Sequence, residues 1–154
     1  MHNKRIYDIK IAIERLKNYC ALQDKCQWDV KQKMQEWGLL KISQDYIMEQ
    51  LIQEDYINEE RYSRSFFRGK FKIKKWGKLK IINELKKKHI SEACIKKGLE
   101  EIQDSEYNVE LNNQYQKKKA SIKEKNIFIK NKKIANFLIS KGYESNLVWN
   151  KINE

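Results

Sequence analysis

The segment IINELKKKHI (81–90) decides the fold, because its apolar pattern recurs twice elsewhere in the chain. Val30, Ile81 and Ile134 occupy one register position, with 51 residues from the first to the second and 53 from the second to the third. The aligned segments are VKQKMQEWGL (30–39) and IANFLISKGY (134–143). A recurrence of this length is typical of a tandem array in which each repeat is one helical unit.

Apolar residues recur at steps of three and four along nearly the whole chain, which is the period of amphipathic helices. There is no proline and there are only five glycines, and no useful stretch alternates as a strand does. We therefore predict an all-α fold of three tandem three-helix repeats, forming an elongated, curved helical array with mostly local cores. The predicted units are 1–57, 58–104 and 105–154. Further register anchors are Leu16, Phe67 and Ala120 upstream. Downstream, Ile47, Ile95 and Val148 align when three extra residues are allowed in the first repeat near 40–42.

The composition indicates a protein that binds a polyanion. The 154 residues carry a formal net charge of +12, with a pI of about 9.5. Nucleic acid is the first partner class to consider, and an anionic membrane surface is the second. No run of about 18 apolar residues is present, as a membrane span would need. The start of the chain, MHNKRIYDIK, does not resemble a signal peptide, so we expect a soluble cytoplasmic protein.

Charge is sharply segregated along the middle of the chain. Residues 61–88 carry twelve Lys or Arg and one acid, Glu84, whereas residues 43–60 carry six acids and no base. A helix over 58–73 places Arg61, Arg64, Arg68 and Lys72 on one face, at a spacing that suits backbone phosphates. The candidate nucleic-acid- or filament-binding residues are Arg61, Arg64, Arg68, Lys70, Lys72, Lys74, Lys75, Lys78 and Lys80.

Two plainer interpretations stand beside this one. The basic run could be a solvated helix face, although like charges at steps of three and four repel each other and one nearby acid offsets them poorly. A second basic run, from Lys117 to Lys133, fits a continued polyanion track and a lysine-rich surface equally well. For the acidic segment 43–60 we favour a solvated face.

No pattern of catalytic or metal-binding residues is present in the sequence. Cys20 and Cys26 lie six positions apart and His89 and Cys94 five apart, without the tighter pairs of a structural zinc site. An odd number of scattered cysteines is typical of reduced thiols. We expect no catalytic residues, no metal and no cofactor, and hence no enzyme.

The stretch LIQEDYINEERYSRSFFRGKFKIKKWGKLKIINELKKKHIS (51–91) resembles the middle repeat of the RecX family of recombination regulators. The matching parts are an acidic turn ending in Tyr56-Ile57, the segment Arg61-Tyr62-Ser63-Arg64, a basic helix, Gly77, and Glu84-Leu85 before Lys88-His89-Ile90. The first repeat contributes Tyr19-Cys20-Ala21-Leu22 and the turn Trp37-Gly38-Leu39, and the third matches weakly. His89 stands where the family usually has glycine, which places a less tolerant residue at a left-handed turn position.

The resemblance implies three tandem three-helix repeats and a cytoplasmic, non-enzymatic modulator of the RecA recombinase. Family members bind the RecA–DNA filament along its groove and suppress ATP hydrolysis and strand exchange, and some bind DNA directly. We therefore expect the RecA filament and DNA as partners, no membrane, and a monomer. Two other functions stay open from the residues alone: a general nucleic-acid-binding architectural module, and a helical scaffold for an acidic protein.

Overall fold

A computed structural model describes residues 5, 6 and 8–154 of the chain. This part of the chain is all-helical, which confirms the predicted fold class. The helices are α1 (Ile9–Leu22), α2 (Gln27–Glu36), α3 (Lys41–Gln53), α4 (Glu59–Lys72), α5 (Lys78–Lys87), α6 (Glu92–Leu99), α7 (Asp104–Ser121), α8 (Ile127–Ser140) and α9 (Ser145–Ile152). The prediction about a signal peptide concerns a segment whose residues 1–4 and 7 lie outside the described residues.

The helices pack mainly in successive groups of three. Helices α1–α3 lie within 1–57 and α4–α6 within 58–104, whereas α7 begins at Asp104, one residue before the predicted third unit, and α8 and α9 lie within 105–154. The groups α1–α3, α4–α6 and α7–α9 are called the first, second and third units below. None of the helices in the described part of the chain combines the length and hydrophobicity that a membrane span requires.

The middle helix of every unit ends in the same way. Gly38, His89 and Gly142 follow α2, α5 and α8 with positive φ angles of 73°, 59° and 102°. The amide of the next residue then donates to a carbonyl oxygen in the last turn of the helix, as Ile90 does to Leu85 at 3.1 Å. This is the usual left-handed helix stop, and the sequence predicted it even at His89, where the residue is not glycine.

The repeat anchors lie in the core, with one exception. Val30, Ile81 and Ile134 are each at most 1% exposed. Leu16 and Phe67 are fully buried, whereas Ala120, the predicted third member of that set, is exposed near the end of α7. At 18 residues α7 is longer than α1 and α4, which have 14 each, so its last turn runs past the core that its first turns cover.

The prediction of mostly local cores holds for the first unit only. Among the described residues, the first unit has a hydrophobic cluster of its own, which includes Leu16, Met34 and Leu51. The second and third units instead share one cluster, in which Phe71 packs near Tyr107 and Tyr107 near Tyr143. The sequence pattern could not show this, because helical periodicity identifies a buried face without identifying what covers it.

Candidate nucleic-acid interface

Helix α4 carries the first part of the predicted basic surface. The side chain of Asn58 caps its start by accepting a hydrogen bond from the Arg61 amide at 2.9 Å. Tyr62, Phe67 and Phe71 are buried, so the apolar face of α4 points inward. Gly98 lets α6 approach α4 so closely that a Cβ atom there would lie 2.3 Å from the Phe67 ring. The close approach brings the end of α6 beside the basic face of α4.

That approach neutralises two of the predicted arginines. The guanidinium of Arg64 bonds to Glu101 at 2.8 Å and to Glu100 at 3.0 Å, and Arg68 also bonds to Glu101. Arg68 and then Arg64 hold the pKa of the Glu101 carboxyl below its ordinary value. The interpretation that only Glu84 offsets this charge was therefore wrong, because the offsetting acids come from α6.

The third arginine is paired as well. Arg61 donates from Nε to Asp24 at 3.0 Å and from Nη1 to Asp55 at 3.0 Å, and it also reaches the Asp55 carbonyl oxygen at 2.9 Å. Asp24 lies in the first unit, between α1 and α2, so this pairing links two units. All three arginines of the predicted surface thus have carboxylate partners within the chain.

The lysines of the predicted surface are less fully paired with acids than the arginines. Lys72 and Lys74 are exposed. Lys70 and Lys80 lie against the ring of Trp76, with the ammonium nitrogens 4.9 and 4.4 Å from its centroid. Two other lysines form longer ion pairs: the ammonium nitrogen of Lys75 lies 3.6 Å from a carboxylate oxygen of Glu110, and that of Lys78 lies 3.6 Å from one of Asp104.

Sequence reasoning missed Lys141, which lies at the centre of the lysines between the second and third units. Burial lowers its pKa, Glu110 opposes that shift, and the positive charges of Lys80, Lys117 and Lys75 lower it further. The signal that could have identified it is the repeat itself. Lys141 stands 53 residues after Lys88, inside an aligned segment that was used only for its apolar anchors.

The cysteines are free and do not form a metal site within the described residues. Cys20 and Cys26 are buried, and burial is the main cause that raises the pKa of each thiol to about 11. Thiols with such pKa values stay protonated at neutral pH and are poor nucleophiles and poor metal ligands.

Comparison with known proteins agrees with this architecture. Residues 58–99 match the family model described as RecX, second three-helix domain. Regulatory protein RecX of Lactobacillus gasseri is 23% identical over 96 residues, which make up 62% of this chain and 35% of that protein. The matched part therefore spans about a third of that curated relative.

Two solved structures share the fold over nearly the whole chain. A crystal structure of regulatory protein RecX superposes with a TM-score of 0.86 at 19% identity, over 95% of this chain and 73% of that one. The crystal structure of RecX from Lactobacillus salivarius gives a TM-score of 0.82 at 21% identity, over 94% of each chain. The two structures thus share the fold of this chain, and the family model over residues 58–99 confirms the resemblance to the RecX family.

Proposed function

We propose that this protein is a RecX-like regulator that binds the RecA–DNA filament in the cytoplasm and inhibits ATP hydrolysis and strand exchange by RecA. The observation that carries the proposal is the match of residues 58–99 to the second three-helix domain of RecX, within a chain whose fold follows RecX structures along its length. The protein acts by occupying the filament and not by catalysis.

The charge distribution supports contact with filament DNA. A net charge of +12 attracts a polyanion, and the open lysines of the second unit give it a place to bind. Within the predicted surface, we propose that the lysines, and not the arginines, contact DNA. Arg61, Arg64 and Arg68 bond to acids of the same chain, so in this proposal they position α4, whereas the lysines meet phosphates. The proposed contact residues are Lys70, Lys72, Lys74, Lys75, Lys78 and Lys80.

A general nucleic-acid-binding module is the second candidate, and the same open lysines favour it. The two functions differ in how much binding affinity remains when salt is added. Binding that depends on phosphate contacts alone weakens steeply between about 50 mM and about 200 mM salt, whereas a protein–protein contact with RecA adds affinity that salt weakens less.

The test is a binding measurement with cognate RecA filaments, assembled on a labelled single strand with a slowly hydrolysed ATP analogue, beside the same strand without RecA. We expect filament binding to persist at about 200 mM salt, where binding to the bare strand is largely lost. Equal affinity for filament and bare strand at every salt concentration would contradict the RecA role and favour the general module.

A further inference from the structure

The second and third units meet through their backbones. The amide of Gly77 donates to the Lys141 carbonyl oxygen at 2.8 Å, and the amide of Leu79 donates to that of Gly142 at 3.0 Å. A Cβ atom on Gly77 would lie 2.2 Å from the carbonyl carbon of Gly142, so the two turns are in direct contact. This contact places the start of α5 beside the end of α8.

Lysines from three helix ends converge at this contact. Lys75 and Lys80 flank the turn after α4, Lys117 lies in the last turns of α7, and Lys141 follows α8. The positive charges of the other three act on Lys141, and Glu110 is the acid that offsets them. Glu110 is also the partner of Lys75, at 3.6 Å. A cluster of four cations sharing one carboxylate attracts further anions.

Aromatic rings are interleaved with these cations. Lys70 and Lys80 both lie against the ring of Trp76, as described above. On the other side of the contact, Lys118 and Lys141 lie over the ring of Phe137, at 4.4 and 5.6 Å from its centroid. Both rings are only partly buried. We call the set Lys70, Trp76, Lys80, Lys118, Phe137 and Lys141 the junction track.

Lysine stems that lie on aromatic rings can simply cover apolar surface. That explanation accounts for each pair separately. It does not account for the accumulation of cations around Lys141, which costs electrostatic repulsion and which Glu110 offsets only in part. An anionic ligand would remove that repulsion, and a ligand that also has flat apolar faces would use the two rings.

We propose that the junction track binds single-stranded DNA across the second and third units, with backbone phosphates on Lys80, Lys118 and Lys141 and unpaired bases against Trp76 and Phe137. Alternation of cations with aromatic faces is how proteins hold single strands without reading their sequence. The inference deepens the proposed function and rests on it for its biological context.

The first test measures affinity for a labelled oligothymidine as a function of salt. The variant K80Q/K141Q removes two charges and keeps a donor for the Gln114 amide oxygen, which Lys141 contacts at 3.2 Å. Its matched control is K96Q/K97Q, which removes the same charge from exposed lysines of α6. The slope of log K against log salt is negative, and each lost phosphate contact on a single strand reduces its steepness by about 0.7. We therefore expect the steepness to fall by about 1.4 for K80Q/K141Q and to change almost not at all for the control.

A second variant covers the case in which K80Q/K141Q does not fold. K80Q/K118Q leaves the Lys141–Gln114 hydrogen bond in place and is expected to give the same fall in steepness. Equal slopes for the track variants and the control, with folding verified by circular dichroism, would overturn the proposal.

The third variant tests whether unpaired bases stack on the ring of Trp76. W76L keeps every lysine but removes the ring, and we expect about tenfold weaker binding to the single strand, in the range that stacking of one base contributes. Affinity for a duplex of the same length is expected to stay within about twofold, because paired bases cannot stack on the ring. Equal losses on both DNAs would contradict single-strand binding here. None of these experiments contains RecA, so their failure is distinguishable from failure of the proposed function.

Discussion

Lys88 and Lys141 occupy the same position in the second and third repeats, yet their surroundings differ completely. Lys88 follows α5 and bonds to Asp29 of the first unit at 2.9 Å and to the hydroxyl of Tyr62 at 3.1 Å. Burial would lower its pKa, but these two hydrogen bonds raise it well above the ordinary value. Lys141 has an amide partner and lysine neighbours, and its pKa is lowered.

The same contrast holds for the two junctions as a whole. Polar side chains connect the first unit to the second: Lys88 to Asp29, Arg61 to Asp24, and the Gln27 amide to Glu59 at 3.0 Å. The second and third units are connected by backbone hydrogen bonds, a shared core and the ion pair of Lys75 with Glu110. The cations between the first two units hold those units together, whereas other cations between the second and third units, such as Lys80 and Lys118, contact aromatic rings and stay available for a ligand.

Disrupting the junction between the second and third units should have the largest effect on stability. We expect G77A to lower the free energy of unfolding by about 3 kcal/mol, because its Cβ would collide with the backbone at Gly142 and separate the two turns. Urea unfolding measures this change. The control is G69A, inside α4 one turn before its end and with open space around the new methyl group, which should stabilise the protein by about 0.5–1 kcal/mol. A loss below about 1 kcal/mol for G77A would show that the junction yields easily.

Disrupting the junction between the first and second units should lower the stability less. We expect K88M to lower the free energy of unfolding by about 2 kcal/mol, because the Asp29 side chain, 11% exposed, would lose its cation. Urea unfolding measures this change as well. The control K87M loses an exposed pair with Glu84 and should change stability by less than about 0.5 kcal/mol. Equal effects of the two variants would mean that Lys88 does not hold the first unit.

Removing the carboxylate partners of the α4 arginines should make these arginines available to DNA, as the lysines between the second and third units are. In E100Q/E101Q, Arg64 and Arg68 lose their carboxylate partners, and we expect about fivefold tighter binding to DNA at low salt. The control is E14Q/E92Q, which removes the same charge at exposed glutamates and leaves Arg64 and Arg68 paired with Glu100 and Glu101. Identical affinities for the two variants would mean that α4 does not face the DNA.

The smallest of the expected effects is the loss of stability at acid pH, when the carboxylates that pair with the arginines of α4 become protonated. Asp55 has its pKa lowered by hydrogen bonds from Asn58 and Arg61, and Glu101 by Arg68 and Arg64. The stability from these carboxylates is present above their unfolded pKa values, about 4, and is lost as the pH falls through the lower folded values. Thermal unfolding between about pH 6 and pH 3 should therefore be less pH-dependent in D55N/E101Q than in the wild type. Parallel pH profiles would contradict these shifts.

The sequence predicted the local features well, because each depends on residues close together in the chain. The cap at Asn58 and the turn at Gly77 follow from neighbouring residues, whereas the left-handed stop at His89 was implied by the resemblance to the RecX family. The pairing of Arg64 with Glu101 spans 37 residues, and it depends on the close packing of α4 on α6 at Gly98. Helical periodicity predicts that two helices have buried faces but not which charged ends then meet.

The most direct test of the proposed function is the ATPase activity of the cognate RecA, stimulated by single-stranded DNA and titrated with this protein far below the DNA concentration. A RecX-like regulator should inhibit hydrolysis at amounts much smaller than those needed to cover the DNA. Inhibition that begins only when the protein is abundant enough to coat the DNA would contradict a filament-specific role and would leave a basic protein that competes with RecA for the strand.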